Sequence, residues 1–457
     1  MPKASFRSRI AVPPDELFAW HARPGALERL IPPWEDVRVL ERIGGLEDGA
    51  KTVISLRKGP FRVRWTALHR DYVEGRQFVD EQVEGPFAAW RHTHRFTPAG
   101  SDGSWLEDEI EYELPFGAIG QLLAARPVRA DIERAFPFRH RRTADDLSRH
   151  AQFIGRPRLT VAVSGASGLI GGNLTAFLST GGHRVRRLVR RQPRPAAGDI
   201  HWDPRLGDLD AADLTGFDAV VHLSGRSLSA WRWTPKIKRE IEYSRVASTH
   251  LLCETLARMT DPPRTLICAS GIGYYGDRSA EEVHEASLPG SGFVAELCER
   301  WEAAAEPARQ AGIRVVNLRI GPIVAAAGDL LRRMLPPFRL GLGGKLGSGR
   351  QVISWIGLDD LLGVILQALY DERLSGPVNA VAPQPVTNRQ FTRTLADVVR
   401  RPALLNIPAP VVRALFGEMG REILLGGAYV RPSKLKATGF RFLHEEVESA
   451  LRWELGR

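Results

Sequence analysis

Val161-Ala162-Val163 leads directly into Gly165-Ala166-Ser167-Gly168-Leu169-Ile170-Gly171-Gly172, and the reading of this stretch decides the fold. Leu174, Phe177 and Leu178 follow at helical spacing, and a second apolar run spans Val185 to Val189. The order is strand, glycine turn, helix, strand. Glycines in such a turn permit its tight bend, let the backbone come close to an anion, and let the helix lie against the strand. The free amides of the helix N-terminus then face that anion. With strand and helix present on either side, Gly165, Ser167, Gly168, Leu169, Ile170 and Gly171 read as the seat of a dinucleotide.

The end of the second strand bears on which dinucleotide. A site for a cofactor without a 2′-phosphate carries Asp or Glu about 20 residues past the glycines, where it accepts from the ribose hydroxyls. Here the strand ends Leu188-Val189-Arg190-Arg191, and the first acid is Asp199. Guanidiniums suit a phosphate. Arg190 and Arg191 are therefore expected to select NADP(H) over NAD(H).

The chain has 457 residues, too many for one ordinary core, so two to three domains are expected. No apolar run approaches bilayer-spanning length and the N-terminus lacks the apolar stretch of a secretory signal, so a cytoplasmic protein without membrane insertion is expected. Cys253, Cys268 and Cys298 show no Cys-x-x-Cys spacing and read as small core residues. The net charge of +10 comes mainly from Arg scattered among acids, which excludes a basic stripe for nucleic acid.

Residues 1–150 have a different character. Pro13-Pro14-Asp15-Glu16-Leu17-Phe18 reads as a helix start, and period-two runs follow at Thr52 to Leu56, Arg62 to Ala67, Trp90 to Thr97 and Trp105 to Leu114. In the last run Leu106, Ile110, Tyr112 and Leu114 share a face with Asp108, and Glu107, Glu109, Glu111 and Glu113 form a solvated face. Ile119 to Leu147 is helix-like, with Pro127 and Pro137 as points for a break or kink. His92 and His94 lie on one strand face; with no third ligand legible they read as a polar wall, and no metal is assigned. A strand, a helical pair, an antiparallel meander and a long closing helix, with Phe18-Ala19-Trp20-His21 and Leu30-Ile31-Pro32-Pro33-Trp34, resemble the START-like, helix-grip domains of the polyketide cyclase group (SRPBCC). The resemblance implies an α+β fold and an apolar or amphipathic ligand.

Beyond the glycine stretch, strand-like runs at Ala219 to Leu223, Thr265 to Ala269 and Arg314 to Ile320 alternate with helical segments, as in a parallel sheet covered on both faces. Their ends, Leu223-Ser224-Gly225, Ser270-Gly271 and Arg319-Ile320-Gly321-Pro322-Ile323, are expected to line the cofactor crevice. Together with Ser270-Gly271-Ile272-Gly273-Tyr274-Tyr275-Gly276, these turns resemble an extended short-chain dehydrogenase/reductase of the NAD-dependent epimerase/dehydratase superfamily. Trp233-Thr234, Ser244-Arg245-Val246 and Leu346-Gly347-Ser348-Gly349-Arg350-Gln351 are similar to its atypical branch of SDR39U-type proteins. The C-terminal residues 404–455, with Gly417-Glu418-Met419-Gly420 and Arg431-Pro432-Ser433-Lys434-Leu435, resemble the small domain of unknown function that ends that branch. The resemblance implies a Rossmann-type domain over 157–400 and a C-terminal cap.

The departures concern catalysis. The superfamily uses a Tyr with a Lys four residues on, but none of the seven tyrosines here has Lys at that spacing, and Phe293 and Leu297 stand in those places. Arg245 stands where an Asn usually helps the proton relay. Ser270 survives. The resemblance therefore implies an NADP(H)-dependent oxidoreductase or epimerase-like enzyme in which Ser270 with Tyr274 or Tyr275 handles the substrate oxygen and Arg245 supplies charge. A non-catalytic NADP(H) sensor coupled to the front domain is the alternative. Trp301 and Glu302 read as packing or solvent-facing, and the glycine-rich turn 341–350 as a lid or a plain surface loop.

Overall fold

The computed structural model describes residues 1–194, 198–207, 209–279 and 281–457. They form two compact units: residues 1–156 with 179–182 and 456, and the remainder from residue 157 onward.

The front unit is one antiparallel sheet and three helices. Its elements are β1 (Lys3–Ile10), α1 (Pro14–Ala22), α2 (Ala26–Leu30), β2 (Val37–Ile43), β3 (Lys51–Lys58), β4 (Phe61–Val73), β5 (Gln77–Glu84), β6 (Ala89–Pro98), β7 (Ser104–Glu113) and α3 (Gly117–Ala151). The strands lie in the order β1-β7-β6-β5-β4-β3-β2. The period-two pattern of β7 appears as expected: Leu106, Asp108, Ile110 and Tyr112 are buried, while Lys3 and Arg7 of β1 pair with Glu109 and Glu107 on the other face. Helix α3 passes through both Pro127 and Pro137. Its inner face brings Phe136 onto Phe6 at a ring separation of 5.0 Å. Asp146 on α3 holds Arg29 of α2 in a buried two-pronged ion pair at 2.6 and 2.8 Å.

The second unit is built on a seven-stranded parallel sheet. Strands β8 (Thr160–Ser164), β9 (Arg184–Val189), β10 (Ile200–His201), β11 (Ala219–His222) and β12 (Thr265–Gly271) are joined by Arg314–Ile320 and Gly376–Ala380, in the order β10-β9-β8-β11-β12, then 314–320, then 376–380. The chain builds outward from β8 in one direction and then, from β11, in the other. The crevice of such a sheet opens at that reversal, beyond the strand ends. Ser164 is in register with Leu188 on one side and His222 on the other, so the glycine turn after β8 and Leu223-Ser224-Gly225 after β11 emerge side by side.

The glycines at the turn are required by space. Gly165 has φ +69°, and a side chain there would meet the Leu223 backbone at 2.8 Å. Helix α4 (Leu169–Thr180) begins at once, and a Cβ on Gly171 would lie 2.8 Å from Ala166 Cα and overlap the Gly165 carbonyl.

Residues 404–455 belong to the second unit. Val447, Leu451 and Leu455 of the last helix pack with Phe391, Leu395 and Trp355, and Tyr429–Val430 pairs in parallel with Glu282–Val283. Among the described residues no helix is long and apolar enough to cross a membrane. The three cysteines are free and buried.

If the approach of α4 to β8 sets the turn, Gly171→Ala costs about 1–3 kcal/mol through overpacking. Thermal denaturation is expected to show a lower Tm for the variant, and an unchanged Tm contradicts the packing argument.

Candidate functional site

The site gathers at the carboxyl ends of β8, β11, β12 and the strand Arg314–Ile320. Ser167 and Gly168 are exposed at the N-terminus of α4, where the helix dipole faces solvent; the Gly168 amide donates to the Gly165 carbonyl at 2.9 Å and closes the turn. Leu169 packs near Gly328, whose Cβ would lie 3.3 Å from the leucine side chain; this brings the segment after Ile323 to the rim. The turn's own anchor is buried: Ser164 Oγ and His222 Nδ1 are 2.7 Å apart, and the Leu223 amide donates to Ser164 Oγ at 3.1 Å. Burial pushes the His222 imidazole down to about 4, so it is neutral and holds Leu223 without adding charge.

The two arginines after β9 have different surroundings. Arg191 donates to Asp199 at 2.6 Å, and Arg187 donates to the other oxygen of the same buried carboxylate at 2.8 Å. Arg190 is exposed and makes no hydrogen bond or ion pair among the described residues. The first acid after the glycines, distant along the chain, is thus against Arg191. Of the expected pair only Arg190 has an uncommitted guanidinium.

Ser270, Tyr275 and Arg319 come together in one buried network, with Glu302 at its centre. Ser270 Oγ donates to Glu302 Oε1 at 2.8 Å; Arg319 donates to both Glu302 oxygens at 2.8 and 2.9 Å and to the Tyr275 hydroxyl at 2.9 Å. Tyr275 in turn donates to Asn379 Oδ1 at 2.7 Å and is fully buried. Its hydroxyl is therefore engaged on both sides. Arg319, 3% exposed, points into this network rather than toward the exposed turn at Ser167. Tyr274 is half-buried, its ring lies 3.4 Å from the Arg319 guanidinium carbon, and its hydroxyl has no hydrogen bond among the described residues.

Arg245 lies beside the Leu-Ser-Gly turn, where a Cβ on Gly225 would be 3.3 Å from its guanidinium carbon. It is buried, donates to the Ile241 carbonyl at 3.3 Å, sits 5.0 Å over the Trp301 ring and has no carboxylate partner among the described residues. That desolvation lowers its pKa to about 10. A buried cation without a counter-charge favours a nearby anion. Where the superfamily has Tyr, the Phe293 ring packs on Trp233 at 5.3 Å and lies 4.5 Å from Lys238 Nζ; Leu297 is buried.

Sequence reasoning missed Glu302, which is neither solvent-facing nor mere packing. Its available signal was its place four residues after buried Cys298 on one helix, Phe293–Ala303. The C-terminal segment also reaches this region: Glu422 accepts from the amides of Phe293 and Val294 at the start of that helix, and Arg232 donates to the carbonyls of Ala414 and Leu415. The turn 341–350 is tied to it as well, with Gly347 donating to the Ile407 carbonyl at 2.8 Å.

Comparison with known proteins identifies three regions. Residues 10–136 match the polyketide cyclase / dehydrase and lipid transport family, residues 161–380 the NAD dependent epimerase/dehydratase family, and residues 407–454 a domain of unknown function. An epimerase family protein of Mycobacterium bovis is 44% identical over 297 residues, which is 65% of this chain and 98% of the relative. The crystal structure of human epimerase family protein SDR39U1 with NADPH is 34% identical at a TM-score of 0.61, covering 65% of this chain and 99% of that one. A nucleoside-diphosphate sugar epimerase of Corynebacterium glutamicum is 32% identical at a TM-score of 0.82, covering 99% of this chain and 90% of that one.

Two outcomes follow from the buried groups. Glu302→Ala leaves Arg319 buried and uncompensated, at a cost of about 3–5 kcal/mol. Adding Arg319→Met is expected to recover part of that loss in denaturant titration; strictly additive losses contradict the pairing. His222 has an ordinary pKa of 6.5 and about 4 when folded, so the unfolded chain binds the proton first. Stability therefore falls as pH drops from 6.5 to 4, by up to about 3 kcal/mol from this group. Urea denaturation of His222→Asn, read against the parent chain, is expected to show a shallower decline over that window; equal slopes contradict it.

Proposed function

We propose that this chain, which belongs to the NAD-dependent epimerase/dehydratase family, binds NADP(H) on the glycine turn and acts as an oxidoreductase or epimerase-like enzyme on a small or apolar substrate. The observation that carries the reading is the glycine turn: Gly165 wedged against Leu223, with Ser167, Gly168 and the amide end of α4 exposed. Leu169, Ile170 and Gly171 continue the seat, Leu223, Ser224 and Gly225 form its facing wall, and Gly321, Pro322 and Ile323 its far rim. Arg190 is the group placed to receive a 2′-phosphate. The human relative solved with NADPH supports the same choice. The cofactor, when bound, supplies hydride transfer.

The chain's own part is to hold the substrate oxygen and its proton. Ser270 gives its hydroxyl hydrogen to Glu302, so its oxygen is free to accept from a substrate hydroxyl. Arg319 fixes Glu302, and Tyr275 and Asn379 fix Arg319, so the Ser270 rotor has one orientation. Tyr274 has the tyrosine hydroxyl still available to a ligand, and Arg245 favours negative charge beside Gly225. Tyr275 acts as a positioning residue. With the Tyr and Lys pair absent, the retained Ser270 is held by the Glu302 carboxylate.

Titration with both cofactors tests the seat. Arg190→Ala is expected to weaken NADPH binding about 10–100-fold, the worth of a charged hydrogen-bonded contact, and to leave NADH binding unchanged. Equal loss for both, or an NADH preference in the parent chain, contradicts it. Rapid mixing of the NADPH complex with aldehydes, ketones and quinones tests the chemistry; turnover undiminished in both Ser270→Ala and Tyr274→Phe removes the catalytic roles.

A further inference from the structure

The interior of the front unit holds two carboxylates among four imidazoles, and among the described residues no Lys or Arg pairs with either carboxylate. The groups meet across neighbouring strands. Register places His69 of β4 opposite Asp80 of β5, Asp80 opposite His92 of β6, and His94 opposite Asp108 of β7. His92, His94, Asp108 and His140 are each at most 6% exposed. Negative charge at this depth requires a compensating cation.

Three groups converge on one point. Asp80 Oδ2 is 3.3 Å from His94 Nε2 and 3.8 Å from His92 Nδ1. One atom from each of Asp80, His92 and His94 lies within 4.8 Å of the other two. Bonds of about 2.0–2.1 Å in a tetrahedral site put neighbouring ligand atoms about 3.3–3.4 Å apart, so these separations close on a metal ion with small side-chain movements.

The surrounding groups have the arrangement that a metal site needs. The remaining nitrogens of both ligating histidines lie near one carboxylate oxygen: His92 Nε2 is hydrogen-bonded to Asp108 Oδ1 at 3.0 Å, and His94 Nδ1 is 2.7 Å from it without hydrogen-bond alignment. The second oxygen of Asp108 is 2.7 Å from His140 Nε2, and His140 Nδ1 is 2.9 Å from Ser8 Oγ. The second oxygen of Asp80 is 2.9 Å from His69 Nε2. Outer carboxylates and imidazoles of this kind fix ring orientation and raise ligand basicity. Asp80 is the accessible member, with its side chain 27% exposed against 4% and 7% for His92 and His94, which gives an ion and a fourth ligand a way in.

We propose that Asp80, His92 and His94 form a site for a divalent transition metal of the zinc class in the front unit, with one coordination position open to water or a ligand. Two imidazoles and one carboxylate suit zinc, cobalt or ferrous ions and disfavour magnesium, which prefers an all-oxygen shell. The site is separate from the glycine turn and does not depend on the cofactor reading.

The test uses the full chain, stripped with chelator and reloaded. Calorimetry with ZnCl2 and elemental analysis after dialysis are expected to give one equivalent per chain. CoCl2 is expected to give the visible bands of a four- or five-coordinate ion, and MgCl2 no binding. Zinc is expected to raise the Tm of the parent chain and not that of Asp80→Asn, whose partly exposed carboxylate makes it the mildest ligand change. Asp108→Asn, which disturbs only the outer partner, is expected to weaken zinc binding about 10–100-fold. No stoichiometric zinc in the parent chain overturns the proposal. So does zinc binding that persists undiminished in folded Asp80→Asn and His92→Ala, since the ion would then sit elsewhere.

Discussion

The second unit depends on one close approach: the glycine turn after β8 lies against the backbone that leaves β11. Gly165 takes a left-handed φ of +69° and leaves no room for a side chain beside Leu223, while Gly171 lets α4 start on top of the same turn. Because β8 is the strand from which the chain builds in both directions, this contact lies at the reversal of strand order. The exposure of Ser167 and Gly168, the Leu-Ser-Gly wall and the neutral Ser164 and His222 pair are consequences of that geometry.

Buried charge is managed differently in the two units. Around the catalytic candidates an Arg and a Glu neutralise each other, and the tyrosine and asparagine beside them complete the hydrogen bonds. In the front unit Asp146 is paired with Arg29, but Asp80 and Asp108 meet only histidines. The first arrangement is self-contained and positions Ser270. In the second, positive charge comes from a proton or an ion, and the His94 imidazole shows the pull: burial opposes its charge, yet Asp108 and Asp80 hold its pKa at about 9.

What the sequence revealed was local. The glycine turn, the alternating strands and helices, and the inward face of Leu106, Ile110 and Tyr112 are written in contiguous residues, and all are found. The missed groups act across long separations. Glu302 meets Ser270 from 32 residues away, and Asp80 meets His92 across a strand pair, where no spacing rule marks the partner. Arg191 looked equivalent to Arg190 until the fold carried Asp199 onto it. One signal was legible: Asp108 shared a face with four apolar side chains, and a carboxylate on an inward face needs a partner.

The central claim is that the glycine turn seats NADP(H) with its 2′-phosphate toward Arg190. A crystal structure of the chain grown with NADPH tests it most directly. The account predicts the pyrophosphate on the amides between Gly165 and Leu169 and the 2′-phosphate within hydrogen-bond distance of the Arg190 guanidinium. A 2′-phosphate directed away from Arg190, or a nucleotide bound outside this turn, would contradict it.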